Sequence, residues 1–162
     1  MWVSAAGVRH LEFGPLPPED HTDPRDAWPP LLARAVEQLE EYFRRERTVF
    51  DLPLDLDGTT DFQRAVYDHL VRVAHGRLTT YGDLAGAVGS PDSARAVGQA
   101  VGANPVPVII PCHRVVASDG RLGGFSGGLT AKAALLAIEN VTVEGPPSEG
   151  ARVHPEVLRL DL

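Results

Sequence analysis

Three short helical segments between residues 60 and 102 constrain the fold of this chain most. The first, TTDFQRAVYDHLVRVAHG, begins with a capping box formed by Thr60 and Gln63. The second, TTYGDLAGAVG, has Thr80 as its N-cap and Gly89 as its stop signal, and the third, SPDSARAVGQAVGAN, has Ser90 as its expected N-cap. The apolar stripe of the first helix comprises Phe62, Val66, Leu70 and Val73. The segments together predict a mainly helical lobe.

The second and third helices are joined only by a turn at Gly89, which is typical of a helix-turn-helix unit. Pro91 would take the first position of the third helix, which extends to about Gly102. Many helical pairs with such a turn bind no nucleic acid. This pattern alone therefore leaves both DNA binding and a purely structural role open.

The residues up to Gly58 predict a smaller lobe of strands and one helix. MWVSAAGVRHLEFG predicts two short strands about a turn at Ala6–Gly7, and TVFDLPLDLDG alternates apolar and acidic residues as a half-buried strand does. Pro15–Pro30 is rich in proline and acidic residues, which predicts a surface loop. The helix that follows would present one apolar face, formed by Leu31, Leu32, Ala35, Val36, Leu39, Tyr42 and Phe43.

The fold class that follows is α+β (α/β), with a small sheet-plus-helix lobe over residues 1–58 and a mainly helical lobe over residues 59–141. In the second lobe, Val106–Ile110 predicts a short buried extended segment, SDGRLGGFSGGL a glycine-rich loop, and TAKAALLAIEN a last helix that ends near Asn140. Residues 142–162 are predicted to form either a tail or a short docked segment.

The charge of the chain is unevenly distributed. The formal net charge is −7, but the acidic excess lies in the two flanks. Residues 1–60 hold 6 basic and 12 acidic side chains, whereas residues 61–140 hold 7 basic and 6 acidic ones. The middle of the chain therefore permits DNA binding, but only through a local basic patch.

Composition also bounds the setting in which the chain works. No apolar run approaches the roughly 18 residues that a membrane helix requires, and the N-terminus lacks the basic start and apolar block of a signal peptide. A single cysteine cannot form an intrachain disulfide, and no cysteine and histidine cluster has zinc-finger spacing. We therefore expect no membrane association and a reducing, cytoplasmic location.

That single cysteine, Cys112, is the strongest candidate for chemistry. His113 and Arg114 follow it directly, and neighbouring cations favour thiolate over thiol, so we expect a lowered thiol pKa. Pro111 fixes the backbone on its other side. A lone cysteine is more often an inert buried residue. The local sequence therefore makes Cys112 a candidate nucleophile and does not yet define a mechanism.

The stretch NPVPVIIPCHRVVASDGRLGGFSGGL resembles the active-site signature of the O6-alkylguanine-DNA alkyltransferases, the methylated-DNA–protein-cysteine methyltransferases. TTYGDLA, SARAVGQAVGANP, IPCHRVV, GGFSGGL and LLAIEN follow one another in the order of that family, from about Thr60 to Asn140. Residues 1–58 resemble the N-terminal lobe of the family more loosely. The resemblance implies irreversible transfer of an alkyl group from O6-alkylguanine in DNA to a protein cysteine, once per molecule, with O4-alkylthymine as a second candidate substrate.

The resemblance also implies roles for individual residues. Cys112 would accept the alkyl group, and His113 would act through a water as the base for the thiol. Glu139 would orient this histidine, Asn104 would brace the active-site turn, and Tyr81 would protonate the leaving guanine. Without the resemblance, Glu139 would be interpreted as a solvated carboxylate at a helix end and Asn104 as a helix C-cap.

The family binds double-stranded DNA through the minor groove by its helix-turn-helix. In this chain the small residues Ala94, Ala96 and Gly98 would let the third helix approach the groove closely, with Tyr81 at the same interface. Arg95 would enter the base stack where the damaged nucleotide rotates out. The residues that the resemblance assigns to the substrate pocket are Phe125, Ser126, Gly127, Val115 and Arg114. Many members of the family have tyrosine where this chain has Phe125. The resemblance implies no cofactor, no metal and a monomer.

Two alternatives differ in class from the alkyltransferase hypothesis. Alkyltransferase-like proteins share the scaffold and bind damaged DNA without catalysis, but they usually carry tryptophan in place of the acceptor cysteine, which Cys112 argues against. A cysteine hydrolase would need a histidine partner brought to the thiol by the fold. The remaining histidines have sequence contexts typical of surface or loop positions; they are His10, His21, His69, His75 and His154.

Overall fold

The computed structural model describes residues 1–14, 27–148 and 150–154. The described residues form a mixed α+β fold of five α-helices and six short strands. In chain order the elements are β1 (Trp2–Val3), β2 (Val8–His10), α1 (Pro30–Phe43), α2 (Asp61–Leu70), β3 (Thr79–Thr80), α3 (Tyr81–Ala87), α4 (Ala94–Gly102), β4 (Val115–Val116), α5 (Gly128–Ile138), β5 (Val143–Glu144) and β6 (Arg152–Val153). None of the helices in these described ranges is long and apolar enough to span a bilayer.

The N-terminal hairpin and the helix α1 are confirmed, but the third predicted strand is wrong. β1 and β2 pair in antiparallel fashion. TVFDLPLDLDG forms no strand; only Leu54 makes an isolated bridge, with Val8. Pro53 has no N–H to donate, so the pairing is limited to its carbonyl, which accepts from Val8, and to the N–H of Asp55, which donates to the Val8 carbonyl. Gly7 allows this contact, because a Cβ there would lie 2.5 Å from the Pro53 oxygen.

The predicted starts of the first two central helices are also confirmed. Thr60 accepts a hydrogen bond from the Gln63 N–H while the Gln63 side chain accepts one from the Thr60 N–H, which completes the capping box of α2. Thr80 and Asp83 form a second capping box at the start of α3. Most of the loop predicted for Pro15–Pro30 lies outside the described residues, and Pro30 is the first residue of α1.

The predicted start of the third central helix is wrong. α4 begins at Ala94, after Ser93, and not at Pro91. Ser90 instead closes the preceding helix, because its N–H bonds the Ala85 carbonyl while Gly89 adopts a φ of +73°. This is the hydrogen-bonding pattern of a Schellman motif, in which Ser90 is the second residue after the C-cap of α3, Val88.

The segment Val106–Ile110 is buried as predicted, but it is a tight turn and not an extended segment. The Ile110 N–H donates to the Val106 carbonyl, and Val108 has a φ of +76°. The side chain of Asn104 holds both ends of the turn, since it accepts from the Val106 N–H and donates to the Ile110 carbonyl. Cys112 lies two residues after the end of this turn.

Two apolar clusters form the core, and β4 connects them. Val115 lies in the cluster built on β2 and α1 to α4, whereas Val116 lies in the cluster built on α5 and the C-terminal strands. The described part of the C-terminal region docks onto this second cluster: β6 pairs with β5, and both Ala151 and Val153 are buried. The loop before α5 is hydrogen-bonded to this region, because the Leu122 N–H donates to the Ala151 carbonyl.

Replacing Thr60 by alanine is expected to lower the free energy of unfolding by about 1 kcal/mol, because the capping box of α2 loses its side-chain acceptor. Ser90→Ala is the matched control and should change stability by less than about 0.5 kcal/mol, because Ser90 contributes backbone groups and not a cap. Urea unfolding followed by circular dichroism measures both. Equal losses in the two variants would contradict this assignment of the helix starts.

Candidate active site

Cys112 is the first residue of a single 3₁₀ turn, Cys112–Arg114, that joins the turn at residues 106–110 to β4. Its side chain is 3% exposed. The sulfur Sγ accepts a hydrogen bond of 3.0 Å from Nδ2 of Asn104, the same side chain that braces the preceding turn. The position of the thiol is therefore fixed by backbone geometry on one side and by an amide donor on the other.

A cavity of about 380 Å³ opens onto this thiol. It is lined by Tyr81, Gly98, Val101, Gly102, Cys112, Gly124, Phe125 and Ser126. The parallel pairing of β3 with β4 brings its parts together, because Thr80 pairs with Val116 and so places the start of α3 beside the active-site turn. Helix α4 and the glycine-rich loop supply the other walls.

The structure places the residues of the predicted pocket and interface in different environments. Phe125 and Ser126 line the cavity, whereas Val115 is buried in the core, Arg114 faces a carboxylate, and Gly127 lies against Phe13. The exposed residues at the start of α4 are Ala94, Arg95 and Ala96, and Gly98 from the same helix lines the cavity.

Tyr81 forms the side of the cavity that faces the glycine-rich loop. A Cβ at Gly123 would lie 2.9 Å from the Tyr81 hydroxyl, and the φ of Gly123 is +66°, so both the contact and the backbone favour glycine. Burial raises the pKa of Tyr81, and the nearby Cys112 raises it further. The hydroxyl therefore stays protonated at neutral pH and can donate a hydrogen bond or a proton into the cavity.

The environment of the thiol differs from the sequence expectation. Burial raises the pKa of Cys112, although the hydrogen bond from Asn104 and the charge of Lys132 act in the opposite direction. The expectation that Arg114 lowers this pKa as a sequence neighbour is wrong, because its guanidinium pairs with Glu139. The thiol is thus held in its protonated form until a base removes the proton.

Glu139 lies at the centre of the charged groups behind the thiol and is 2% exposed. Its carboxylate accepts from Nε2 of His113 at 2.8 Å and from two nitrogens of the Arg114 guanidinium at 2.8 and 2.9 Å. The Tyr42 hydroxyl and the Gly76 N–H, each at 2.9 Å, complete the set of donors. Burial alone would raise the pKa of Glu139, but the bonds from His113 and Arg114 outweigh it and hold this pKa well below its usual range.

This carboxylate sets the tautomer of His113. Because Nε2 faces Glu139, the imidazole carries its proton there, and Nδ1 has no hydrogen-bond partner among the described residues. Burial lowers the pKa of His113, so the ring is neutral at physiological pH, although its bond to Glu139 opposes the shift. A neutral imidazole with a free Nδ1 lone pair, one residue from the thiol, can accept a proton.

Comparison with known proteins identifies the family. Residues 61–141, half of the chain, match the model of the 6-O-methylguanine DNA methyltransferase DNA-binding domain. The methylated-DNA–protein-cysteine methyltransferase of Mycobacterium tuberculosis is 44% identical over 132 residues, which cover 82% of this chain and 78% of that protein. The chain belongs to the methylated-DNA–protein-cysteine methyltransferase family.

Solved structures agree with this membership. The crystal structure of M. tuberculosis OGT in complex with DNA superposes with a TM-score of 0.66 at 44% identity, covering 74% of each chain. Schizosaccharomyces pombe Atl1, solved with damaged DNA containing O6-carboxymethylguanine, superposes with a TM-score of 0.56 at 30% identity, over 62% of this chain and 96% of its own. The fold of this methyltransferase is thus shared with proteins crystallised on DNA.

Two residues at the methyltransferase site were not predicted from the sequence. Tyr42 was assigned only to the apolar face of α1, since no local pattern shows that its hydroxyl meets a carboxylate 97 residues later. Lys132 is fully buried and its Nζ donates to the carbonyls of Val115 and Leu122. Burial lowers the pKa of Lys132 to about 8. Its sequence signal was a single cation inside the apolar helix AKAALLAI.

Replacing Glu139 by glutamine is expected to lower the free energy of unfolding by about 3–5 kcal/mol, because Arg114 is left buried without a counter-charge. The pKa of Glu139 is depressed in the folded state. Its stabilising contribution is therefore present above the pKa of about 4.3 of an unfolded glutamate and is lost as the pH falls below it. Urea unfolding between pH 3 and 7 measures both effects.

The matched control for this experiment is Glu144→Gln, since Glu144 is exposed on β5. We expect the control to unfold within about 0.5 kcal/mol of the parent at pH 7 and to keep the parent's acid dependence. If both variants lost the same stability, or if Glu139→Gln retained the full acid dependence, the role assigned to the buried carboxylate would be wrong.

Replacing Asn104 by alanine removes the donor to Sγ and is expected to slow alkylation of Cys112 by iodoacetamide about tenfold at neutral pH, because a hydrogen bond to a charged group contributes about 1.5 kcal/mol or more. The midpoint of the rate against pH should move to higher pH. Cys112→Ser gives the unlabelled baseline, and circular dichroism checks that the turn and helices persist. An unchanged midpoint in a folded variant would show that this bond does not stabilise the thiolate.

Proposed function

We propose that this protein repairs O6-alkylguanine in DNA by transferring the alkyl group to Sγ of Cys112, once per molecule. The observation that carries the proposal is the placement of Cys112 at a cavity that Tyr81 and Phe125 also line. The next residue, His113, is neutral, and its Nδ1 has no hydrogen-bond partner among the described residues. The names of the relatives support it, and O4-alkylthymine is a second candidate substrate.

The residues of the site account for each part of the reaction. His113 takes the thiol proton at Nδ1, through one water, while Glu139 stabilises the resulting imidazolium at Nε2. Sγ then attacks the alkyl carbon, so that the S–C bond forms as the bond between carbon and O6 breaks. The electron pair of the broken bond stays on the guanine, which takes a proton from the Tyr81 hydroxyl. The Tyr81 phenolate then regains a proton from solvent as the His113 imidazolium releases one to solvent.

A single turnover follows from the product. The thioether on Cys112 is stable, and its removal would need a second thiol or another nucleophile beside it. The chain has no second cysteine. The protein is therefore consumed by the reaction. It acts as a monomer in the cytoplasm and requires no cofactor for this transfer.

DNA would reach this site through α4. Its exposed first turn carries Ala94 and Ala96, whose small side chains permit close approach to the minor groove, and Arg95 between them would take the place of the extruded nucleotide. Gly98, one turn later, lines the cavity itself, so the same helix contacts the groove and the flipped base. Minor-groove binding suits a repair protein, since that groove discriminates little between sequences.

Intact mass after incubation with a duplex that contains one O6-methylguanine tests this function. The parent protein should gain the mass of one methylene group with restoration of guanine, and Cys112→Ser should gain nothing. Specific binding to the damaged duplex without a mass gain would replace the proposal with a non-catalytic damage-binding role, as the likeness to Atl1 allows. If the protein showed neither transfer nor binding, both functions would be rejected.

A further inference from the structure

Phe13, at the end of the N-terminal segment, lies directly behind the wall of the cavity. Its ring contacts that of Phe125 edge to face, with centroids 5.5 Å apart and planes at 64°. Phe13 also covers Gly127 so closely that a Cβ there would lie 2.6 Å from its Cδ2. The N-terminal segment therefore touches the wall of the site from the outside, although Phe13 itself is not among the residues that line the cavity.

The loop that forms the wall gives the Phe125 ring little support, although Phe125 also packs against the apolar cluster built on β2 and α1 to α4. Phe125 stands in the sequence GGFSGG, where the glycines supply no side chains to pack against its ring and their backbone is unusually free. The N–H of Gly128 donates to the Phe125 carbonyl, which closes the loop but leaves the ring direction to packing. An aromatic pair of this geometry restrains the position of both rings.

We propose that Phe13 is a specificity-determining residue, which limits the size of the alkyl group accepted at Cys112 by holding the Phe125 ring toward the thiol. The inference rests on the proposed alkyl transfer. Phe13 is a positioning residue in this role, because it acts on the substrate through Phe125. Removing its ring lets Phe125 retreat, so a bulky substituent gains room while a methyl group loses its close wall.

Single-turnover rates on two duplexes, one with O6-methylguanine and one with O6-benzylguanine, measure this effect. In Phe13→Ala the ratio of the benzyl rate to the methyl rate should rise about threefold to tenfold, the range that the energy of an aromatic pair corresponds to. Phe13→Leu keeps most of the bulk but loses the aromatic pair, so its ratio should lie between those of the parent and Phe13→Ala. Trp2→Ala, which removes an exposed aromatic side chain from the N-terminal hairpin, is the matched control and should leave the ratio unchanged.

Gly127→Ala provides a second test that does not depend on the stability of Phe13→Ala alone. The added Cβ collides with Phe13 and should disturb the wall, so that methyl transfer slows. Combining it with Phe13→Ala removes the collision and should restore at least part of the rate. Additive losses would show that Phe13 and Gly127 do not share this contact, and the link between Phe13 and the wall would then be wrong.

The outcomes separate this inference from the proposed function. A parent that transfers neither group overturns the proposed function and the inference with it. A parent that transfers methyl, with a ratio unchanged in Phe13→Ala and no rescue in the double variant, overturns the inference alone. Equal slowing of both transfers in Phe13→Ala would show that Phe13 stabilises the lobe without setting the size of the pocket.

Discussion

The buried carboxylate of Glu139 is the interaction on which the arrangement of this site depends. A charge removed from water must be paired, and five donor atoms from separate parts of the chain pair this one. They bring together α1 through Tyr42, the loop before β3 through Gly76, and the active-site turn through His113 and Arg114. The end of α5, the N-terminal lobe and the thiol are thereby held in one geometry, and the tautomer of the histidine follows from it.

The thiol beside this network is kept protonated, and it belongs to the only cysteine of the chain. Burial raises the pKa of Cys112, so little thiolate is present in the resting site and adventitious oxidation or alkylation is slow. The imidazole of His113 is neutral and its Nδ1 has no hydrogen-bond partner among the described residues, while Asn104 and the buried ammonium of Lys132 favour the thiolate over the thiol.

The residues that line the cavity all belong to the larger lobe, and the smaller lobe contacts the wall of the cavity from outside through Phe13. Tyr81 and α4 form two walls of the cavity, and the glycine-rich loop forms the wall that carries Phe125. That loop is close-packed through its glycines: Gly123 leaves room for the Tyr81 hydroxyl and Gly127 for the ring of Phe13. A larger side chain at Gly123 or Gly127 would therefore displace an aromatic ring.

The sequence alone determined the features that depend on residues a few positions apart: the fold class, the N-terminal hairpin, the starts of α2 and α3, and the identity of the single thiol. Capping and periodicity operate within one or two turns, so they are visible in the sequence.

Tertiary structure decided the rest. Ser90 closes one helix and does not begin the next, Val106–Ile110 folds back as a turn around the Asn104 side chain, and burial raises the thiol pKa against the influence expected from its sequence neighbours. The partnership of Tyr42 with Glu139 spans 97 residues. Only packing brings such groups together, because the desolvation of a buried charge or thiol is a property of everything around it and not of its neighbours in the chain.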